Sequence, residues 1–92
     1  MDIFAQLVEK IIKEQENIIG PVAFEQANKV KGLKVDSKTN KISLEGDKKE
    51  ILEHLVKQYE ALFGRTSVEV CKEAVKGLIA KAPKDQVPAI LQ

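Results

Sequence analysis

The stretch LVEKIIKEQENIIGPVAFE (residues 7–25) has the same pattern as ILEHLVKQYEALFGRTSVE (residues 51–69), which lies 44 positions further along the chain. Both carry apolar residues three and four positions apart, the spacing of one face of an α-helix. Each pattern then reaches a glycine, Gly20 or Gly64, which ends the first helix because glycine readily adopts the left-handed conformation found after helices. The sequence therefore predicts two helix–glycine–helix units.

The two units match in charge as well as in apolar pattern. Any two amphipathic helical hairpins look alike to some degree, because helical periodicity and capping rules impose it. Matched charges are not required by packing, so they favour a true duplication, with two hairpins related by a pseudo-two-fold axis. The identical pairs at the shift of 44 are Glu9/Glu53, Lys13/Lys57, Glu16/Glu60, Gly20/Gly64 and Glu25/Glu69.

Between the two units the pattern changes from helical to strand periodicity. Leu33 and Val35 alternate with polar residues, as do Ile42 and Leu44, and the polar residues 37–40 separate them. This arrangement is typical of a β-hairpin. The predicted fold class is α+β, mostly α, with two helix–Gly–helix units joined by a hairpin at about 33–45.

The boundaries follow from turn and capping residues. Asp47 with Glu50, and Thr66 with Glu69, have the spacing of capping boxes that start helices. Pro83 is expected to end the last helix, and the residues after it form a short helix or a docked tail. We expect one domain over residues 1–92, made of a helical hairpin (2–31), a β-hairpin (33–45), a second helical hairpin (47–82) and a tail (83–92).

Composition narrows the class of protein. The 92 residues are 43% hydrophobic and 32% charged, an ordinary globular balance, with a net charge of +1 and one cysteine. Near-neutral charge gives little general attraction to nucleic acid or anionic membrane. The first residues are too polar for a signal peptide, and no apolar run has the length of a membrane span. A cytoplasmic protein without membrane contact is expected.

The residues that carry chemistry are few and isolated. His54 is the single histidine and Cys71 the single cysteine, so neither has the partner ligands that a metal site needs. Cys71 lies on an apolar helical stripe without a neighbouring base, which favours a buried structural thiol over a nucleophile. The glycines stand singly, so there is no phosphate-binding loop. We expect no enzyme activity, no metal and no cofactor.

The segment Tyr59-Glu60-Ala61-Leu62-Phe63-Gly64, followed by Ser67-Val68-Glu69, resembles small output domains of archaeal signalling proteins, those named after Nitrosopumilus. In those domains an aliphatic helix ends in a Phe–Gly turn before another helix. The resemblance covers most of residues 4–80. It implies a regulatory or partner-binding role and brings no catalytic residues with it.

Surplus apolar residues point to an interface. The two long helices carry more apolar side chains than so short a chain can bury, and a surplus at the surface marks a contact site. We therefore expect a non-enzymatic regulatory or interaction module, with signalling output and dimerisation as its roles, that binds a second copy or another protein. The candidate interface residues are Ile18, Ile19, Leu62 and Phe63 at the two turns, with Ile90 and Leu91 in an exposed tail.

The alternative function is nucleic-acid binding through the hairpin. Lysines crowd between residues 29 and 49, and Lys34, Lys38 and Lys41 are the candidate phosphate contacts. The region has no arginine to recognise base edges and no aromatic residue to stack on bases. Lysines on exposed strands also protect a sheet edge from pairing with another chain, which favours a solvated edge over a nucleic-acid contact.

Overall fold

The structure, a computed structural model, describes residues 2–92. It is mostly helical with one two-stranded antiparallel sheet, which confirms the predicted fold class. The elements in chain order are α1 (Ile3–Ile19), α2 (Val22–Ala27), β1 (Leu33–Val35), β2 (Ile42–Leu44), α3 (Lys48–Phe63), α4 (Thr66–Val75) and three short 3-10 turns (Ile79–Lys81, Lys84–Gln86 and Ala89–Leu91).

The two long helices bury equivalent faces. All five buried positions of α3 have a buried counterpart 44 residues earlier on α1. Both helices pack on α4 and on α2, so each half of the chain supplies contacts to the other. None of the helices within residues 2–92 is long and apolar enough to cross a bilayer. The equivalent buried positions are Leu7/Ile51, Val8/Leu52, Ile11/Leu55, Ile12/Val56 and Gln15/Tyr59.

The turns between the paired helices also repeat in geometry. Gly20 has φ +77° and Gly64 has φ +84°, the left-handed region in which glycine avoids a side-chain clash. The Gly20 N–H donates to Glu16 O at 2.8 Å, and the Gly64 N–H donates to Glu60 O at the same distance. The predicted glycine turns are therefore present, and the repeat extends to the main chain.

The start of α3 is as predicted. The Asp47 side chain accepts hydrogen bonds from Lys49 N at 2.9 Å and Glu50 N at 3.3 Å, which satisfies amides that the helix leaves unpaired. Asp2 caps α1 in the same way by accepting from Ala5 N at 2.8 Å.

The predicted cap at Thr66 is wrong. Thr66 lies inside α4, and Arg65 precedes the helix in a helical conformation without a side-chain cap. The turn satisfies the first amides with main-chain carbonyls instead, because Ser67 N donates to Gly64 O at 3.1 Å and Val68 N donates to Arg65 O at 3.0 Å. A side-chain cap is not needed where the preceding turn supplies acceptors.

Helix α2 is shorter than the sequence predicts, ending at Ala27 rather than near residue 31. Val30 N donates to Ala27 O at 3.1 Å, a tight turn that leads towards the sheet. The Asn28 side chain holds the first strand, accepting from Val35 N at 2.8 Å and donating to Val35 O at 2.9 Å. Asn28 therefore acts as a strand partner for β1.

The hairpin pairs Leu33 with Leu44 and Val35 with Ile42. These four side chains face inward and pack with the core, while β2 contacts α1. At the base of the hairpin Glu45 N donates to Gly32 O at 2.7 Å.

The second helical hairpin also ends earlier than predicted, since α4 stops at Val75 rather than near residue 82. Leu78 N donates to Val75 O at 2.9 Å, so the chain tightens and bends after the helix. The tail then continues as 3-10 turns and docks against α3 and α4. The tail was predicted as either a short helix or a docked segment, and in the structure it is docked.

Candidate interaction surfaces

A reciprocal pair of hydrogen bonds fixes the two halves against each other. The Gln15 side-chain amide on α1 donates to Ser67 O, near the start of α4, at 3.2 Å. The Tyr59 hydroxyl on α3 donates to Ala23 O, near the start of α2, at 2.7 Å. These bonds place the end of each long helix beside the glycine turn of the other half. Both glycine turns therefore lie at one end of the molecule.

That end exposes a group of large apolar side chains. Ile18 is 62% exposed, Leu62 52% and Phe63 42%, and within residues 2–92 these are the large hydrophobic residues that the structure leaves exposed. Ile19 differs, because it is half-buried and packs against the core. We refer to Ile18, Leu62 and Phe63 as the apolar tip.

The apolar tip arises from the repeat itself. Ile18 follows the buried Gln15 by three positions, as Leu62 follows the buried Tyr59. Residues three apart lie on the same side of a helix, so the apolar stripe runs past its last buried position to the helix end. There the chain turns away at the glycine, and these side chains have no helix to pack against.

The tail does not provide the exposed segment expected from the sequence. Val87 and Leu91 are only 3% and 4% exposed, and Ile90 is half-buried against the core. The prediction of an exposed tail is wrong, because its apolar side chains cover α3 and α4. Leu91 is therefore part of the core.

The three candidate phosphate-binding lysines of the hairpin do not form a single cluster. Lys34 and Lys41 line one shallow depression on the outer face, while Lys38 lies at the turn. None of the three forms an ion pair with another described residue. The Asp36 carboxylate lies among them and accepts from Lys38 N at 2.8 Å. That hydrogen bond, with a second from Thr39 N, lowers the pKa of Asp36.

One lysine of this region has a structural role that the sequence did not reveal. The Lys48 ammonium lies 5.2 Å from the centre of the Phe4 ring and 3.5 Å from the Asp2 carboxylate. A cation over an aromatic face is attracted to it. Lys48 thus links the start of α3 to the start of α1.

The single cysteine and the single histidine lie in different environments. Cys71 is fully buried, and burial raises the pKa of its thiol to about 11. The Gln15 amide lies 3.4 Å from its sulfur. A raised pKa is the reverse of what activates a thiol. His54 is exposed, and the described residues hold no group of three or more His, Cys, Asp or Glu placed for a metal ion.

The structure contains a groove that the sequence did not predict. It encloses about 540 Å³ between α4 and the tail. A helix that continued to residue 82, as the sequence predicts, would leave no bend in which such a groove could form. Gly77, Pro83 and Pro88 are the local signals for the change of direction. The groove is lined by apolar Ile79, Ala82, Val87 and Leu91, by the cations of Lys72, Lys76 and Lys84, and by the Glu73 carboxylate.

Comparison of the chain with family models, with curated proteins and with solved structures finds no match.

Proposed function

We propose that this chain is a non-enzymatic protein–protein interaction module that binds its partner through the apolar tip. We also propose that its role is regulatory, as the resemblance to signalling output domains implies. The observation that carries the proposal is the exposure of Ile18, Leu62 and Phe63 in the last turns of the two long helices. The Gln15 and Tyr59 hydrogen bonds place these helix ends at the same end of the molecule.

Single exposed apolar residues are common on protein surfaces and need no explanation. Here the exposed large apolar residues of the described chain all belong to one end, at or beside equivalent positions of the two halves. Clustering of this kind is typical of contact sites, where apolar area leaves water on binding. The apolar tip lies in the last turns of α1 and α3, so a partner would bind it without ordering a loop.

The test replaces the three residues of the apolar tip and measures which bound proteins are lost. A variant carrying Ile18→Ser, Leu62→Ser and Phe63→Ser is compared with the unchanged chain in quantitative cross-linking and capture from cells that express it. We expect one or a few proteins to be captured at least tenfold less by the variant. Circular dichroism and thermal melting establish that the variant is folded.

The matched control changes three exposed residues elsewhere. His54→Ser, Lys84→Ser and Asp85→Ser also change exposed positions. Lys84 and Asp85 belong to the tail, and His54 lies two helical turns before Leu62 on α3. This control should capture the same proteins as the unchanged chain. The proposal fails if the apolar-tip variant is folded and still captures every protein that the control captures.

Nucleic-acid binding through the hairpin is the second candidate, favoured by the shared outer face of Lys34 and Lys41. It predicts an affinity for labelled DNA or RNA that falls steeply with salt, because bound lysines release counterions. Changing Lys34, Lys38 and Lys41 to Gln should then abolish binding, while the same change at Lys72, Lys76 and Lys84 should not. Anisotropy that stays flat in low salt rejects this candidate.

A further inference from the structure

The two edges of the small sheet differ. Asp36 N donates to Lys41 O and Glu45 N donates to Gly32 O, so these two pairs are hydrogen-bonded pairs of the ladder. Hydrogen-bonded pairs alternate with non-bonded pairs in an antiparallel sheet, so Leu33/Leu44 and Val35/Ile42 are the non-bonded pairs. The main-chain N–H and C=O groups of Ile42 and Leu44 therefore point away from β1, towards the outer edge of β2.

The outer edge of β1 is closed and that of β2 is open. On β1, Leu33 N donates to Val30 O at 3.1 Å, and the Asn28 amide binds both main-chain groups of Val35. Within residues 2–92 no residue forms a hydrogen bond with the outward main-chain N–H and C=O groups of Ile42 and Leu44. Two donors and two acceptors are thus available on β2.

The side chains along this edge are also incompletely covered. Leu33 and Val35 on β1 are buried, whereas Ile42 and Leu44 on β2 are only half-buried, although all four face inward. An added strand would extend the inner apolar face and cover the exposed part of both.

We infer that β2 pairs antiparallel with β2 of a second copy, making a continuous four-stranded sheet across a two-fold axis. In the register centred on Ser43, Ile42 faces Leu44 of the second copy and Leu44 faces its Ile42. This register joins the outward amides and carbonyls of both strands in hydrogen bonds. An isologous contact of this kind is closed and does not continue into a fibre.

Charge along the strand fits the same register. The segment Lys41-Ile42-Ser43-Leu44-Glu45 has opposite charges at its two ends. Centred on Ser43, Lys41 of each copy lies opposite Glu45 of the other, giving two cross-strand pairs of opposite sign. Like charges would face each other if both ends carried lysine, which is how exposed edges are kept apart. The contact surface differs from the apolar tip, so this inference is independent of the proposed function.

Charge reversal tests both the contact and its register. The variants Lys41→Glu and Glu45→Lys each place like charges opposite one another in both pairs of a self-dimer. Mixing the two variants places opposite charges in both pairs again. The contact is small, so molar mass is measured by sedimentation equilibrium from about 10 μM to about 1 mM.

We expect the unchanged chain to dimerise and each single variant to bind itself about tenfold or more weakly. The equimolar mixture and the double variant K41E/E45K should regain the dimer. Lys38→Glu makes the same charge change at the turn, outside the paired segment, and should leave the dimer intact. Recovery in the mixture also establishes that both single variants are folded.

Hydrogen exchange provides a second measurement that does not depend on charge. The Ile42 and Leu44 amides should become protected as concentration rises, while the Ser43 amide, which faces β1, should not change. A chain that stays monomeric to about 1 mM overturns the inference. A dimer that persists unchanged in both single variants, without protection at Ile42 and Leu44, overturns it equally and directs attention to another face.

Discussion

Gln15 and Tyr59 occupy equivalent positions in the two halves of the chain, and each donates a hydrogen bond across to the other half. The acceptors are the carbonyls of Ser67 and Ala23, which are themselves equivalent. Both donors are buried, Gln15 at 1% exposure and Tyr59 at 0%. Two different side chains thus make the same contact, because a buried polar group must find a partner. The correspondence between the two halves is therefore present in these hydrogen bonds as well as in apolar packing.

Removing the Tyr59 hydroxyl should weaken the fold measurably. In Tyr59→Phe the ring still fills its site, but the 2.7 Å bond to Ala23 O is lost. We expect the free energy of unfolding, measured by urea denaturation, to fall by about 1 kcal/mol. His54→Ala, on the exposed side of the same helix, should change it by no more than about 0.5 kcal/mol. Equal midpoints for Tyr59→Phe and the unchanged chain would show that the bond contributes nothing.

The edge of β1 should depend on the amide of Asn28. The Asn28 amide nitrogen donates to Val35 O and also to Phe24 O. Asn28→Asp replaces this nitrogen with a carboxylate oxygen, so both bonds are lost and the new oxygen faces two other acceptors. The unfolding free energy should fall by about 1–3 kcal/mol. Gln86→Glu makes a comparable change at an exposed position and should have little effect. Equal losses in the two variants would argue against a strand-holding role for Asn28.

Two glycines should respond to alanine in opposite directions. Gly32 has φ +87°, and an added Cβ would clash with the Glu45 carbonyl at the base of the hairpin. Gly32→Ala should therefore lower the unfolding free energy by about 2 kcal/mol or more. At Gly77 a Cβ meets no atom within 4 Å. Gly77→Ala should stabilise by about 0.4–1 kcal/mol, since it reduces the freedom of the unfolded chain.

Both glycine variants are compared by thermal melting and urea denaturation under the same conditions. A Gly32→Ala variant as stable as the unchanged chain would mean that the hairpin base can move without cost.

Alkaline pH should weaken the fold through Cys71. Burial raises its pKa from an ordinary 9.0 to about 11, so the folded state holds the proton more tightly than the unfolded state. The resulting stability is complete below pH 9 and is lost as pH rises from 9 to 11. Between pH 8 and pH 10 the loss should be about 1 kcal/mol. Burial also raises the pKa of Tyr59, whose contribution begins above pH 10.

Cys71→Ala isolates this effect, since the equivalent position 27 already holds alanine. The stability difference between the unchanged chain and Cys71→Ala, measured by urea denaturation, should shrink by about 1 kcal/mol from pH 8 to pH 10. A difference that does not vary with pH would show that the thiol titrates alike in both states.

Patterns that depend on near neighbours along the chain were predictable. The apolar spacing of residues 7–12 and 51–56, the glycine turns and the Asp47 cap are local properties, and the structure has each of them. Gln15 was not predicted as a core residue because it is polar, although it is buried like Tyr59 at the equivalent position. Three of the predicted interface residues, Ile18, Leu62 and Phe63, are exposed, and their role in binding stays a prediction.

Contacts between distant parts of the chain were decided only by the tertiary structure. Local signals extended α2 and α4 too far, because they contain no information about the Asn28 bonds to β1 or about the surface that the tail covers. The burial of Leu91 and the open edge of β2 likewise depend on which elements lie beside them. The helices, the hairpin and the repetition of the helical units follow from local sequence signals, since periodicity and capping act over a few residues. Which apolar side chains remain exposed was decided by packing, because burial depends on neighbours brought together from all parts of the chain.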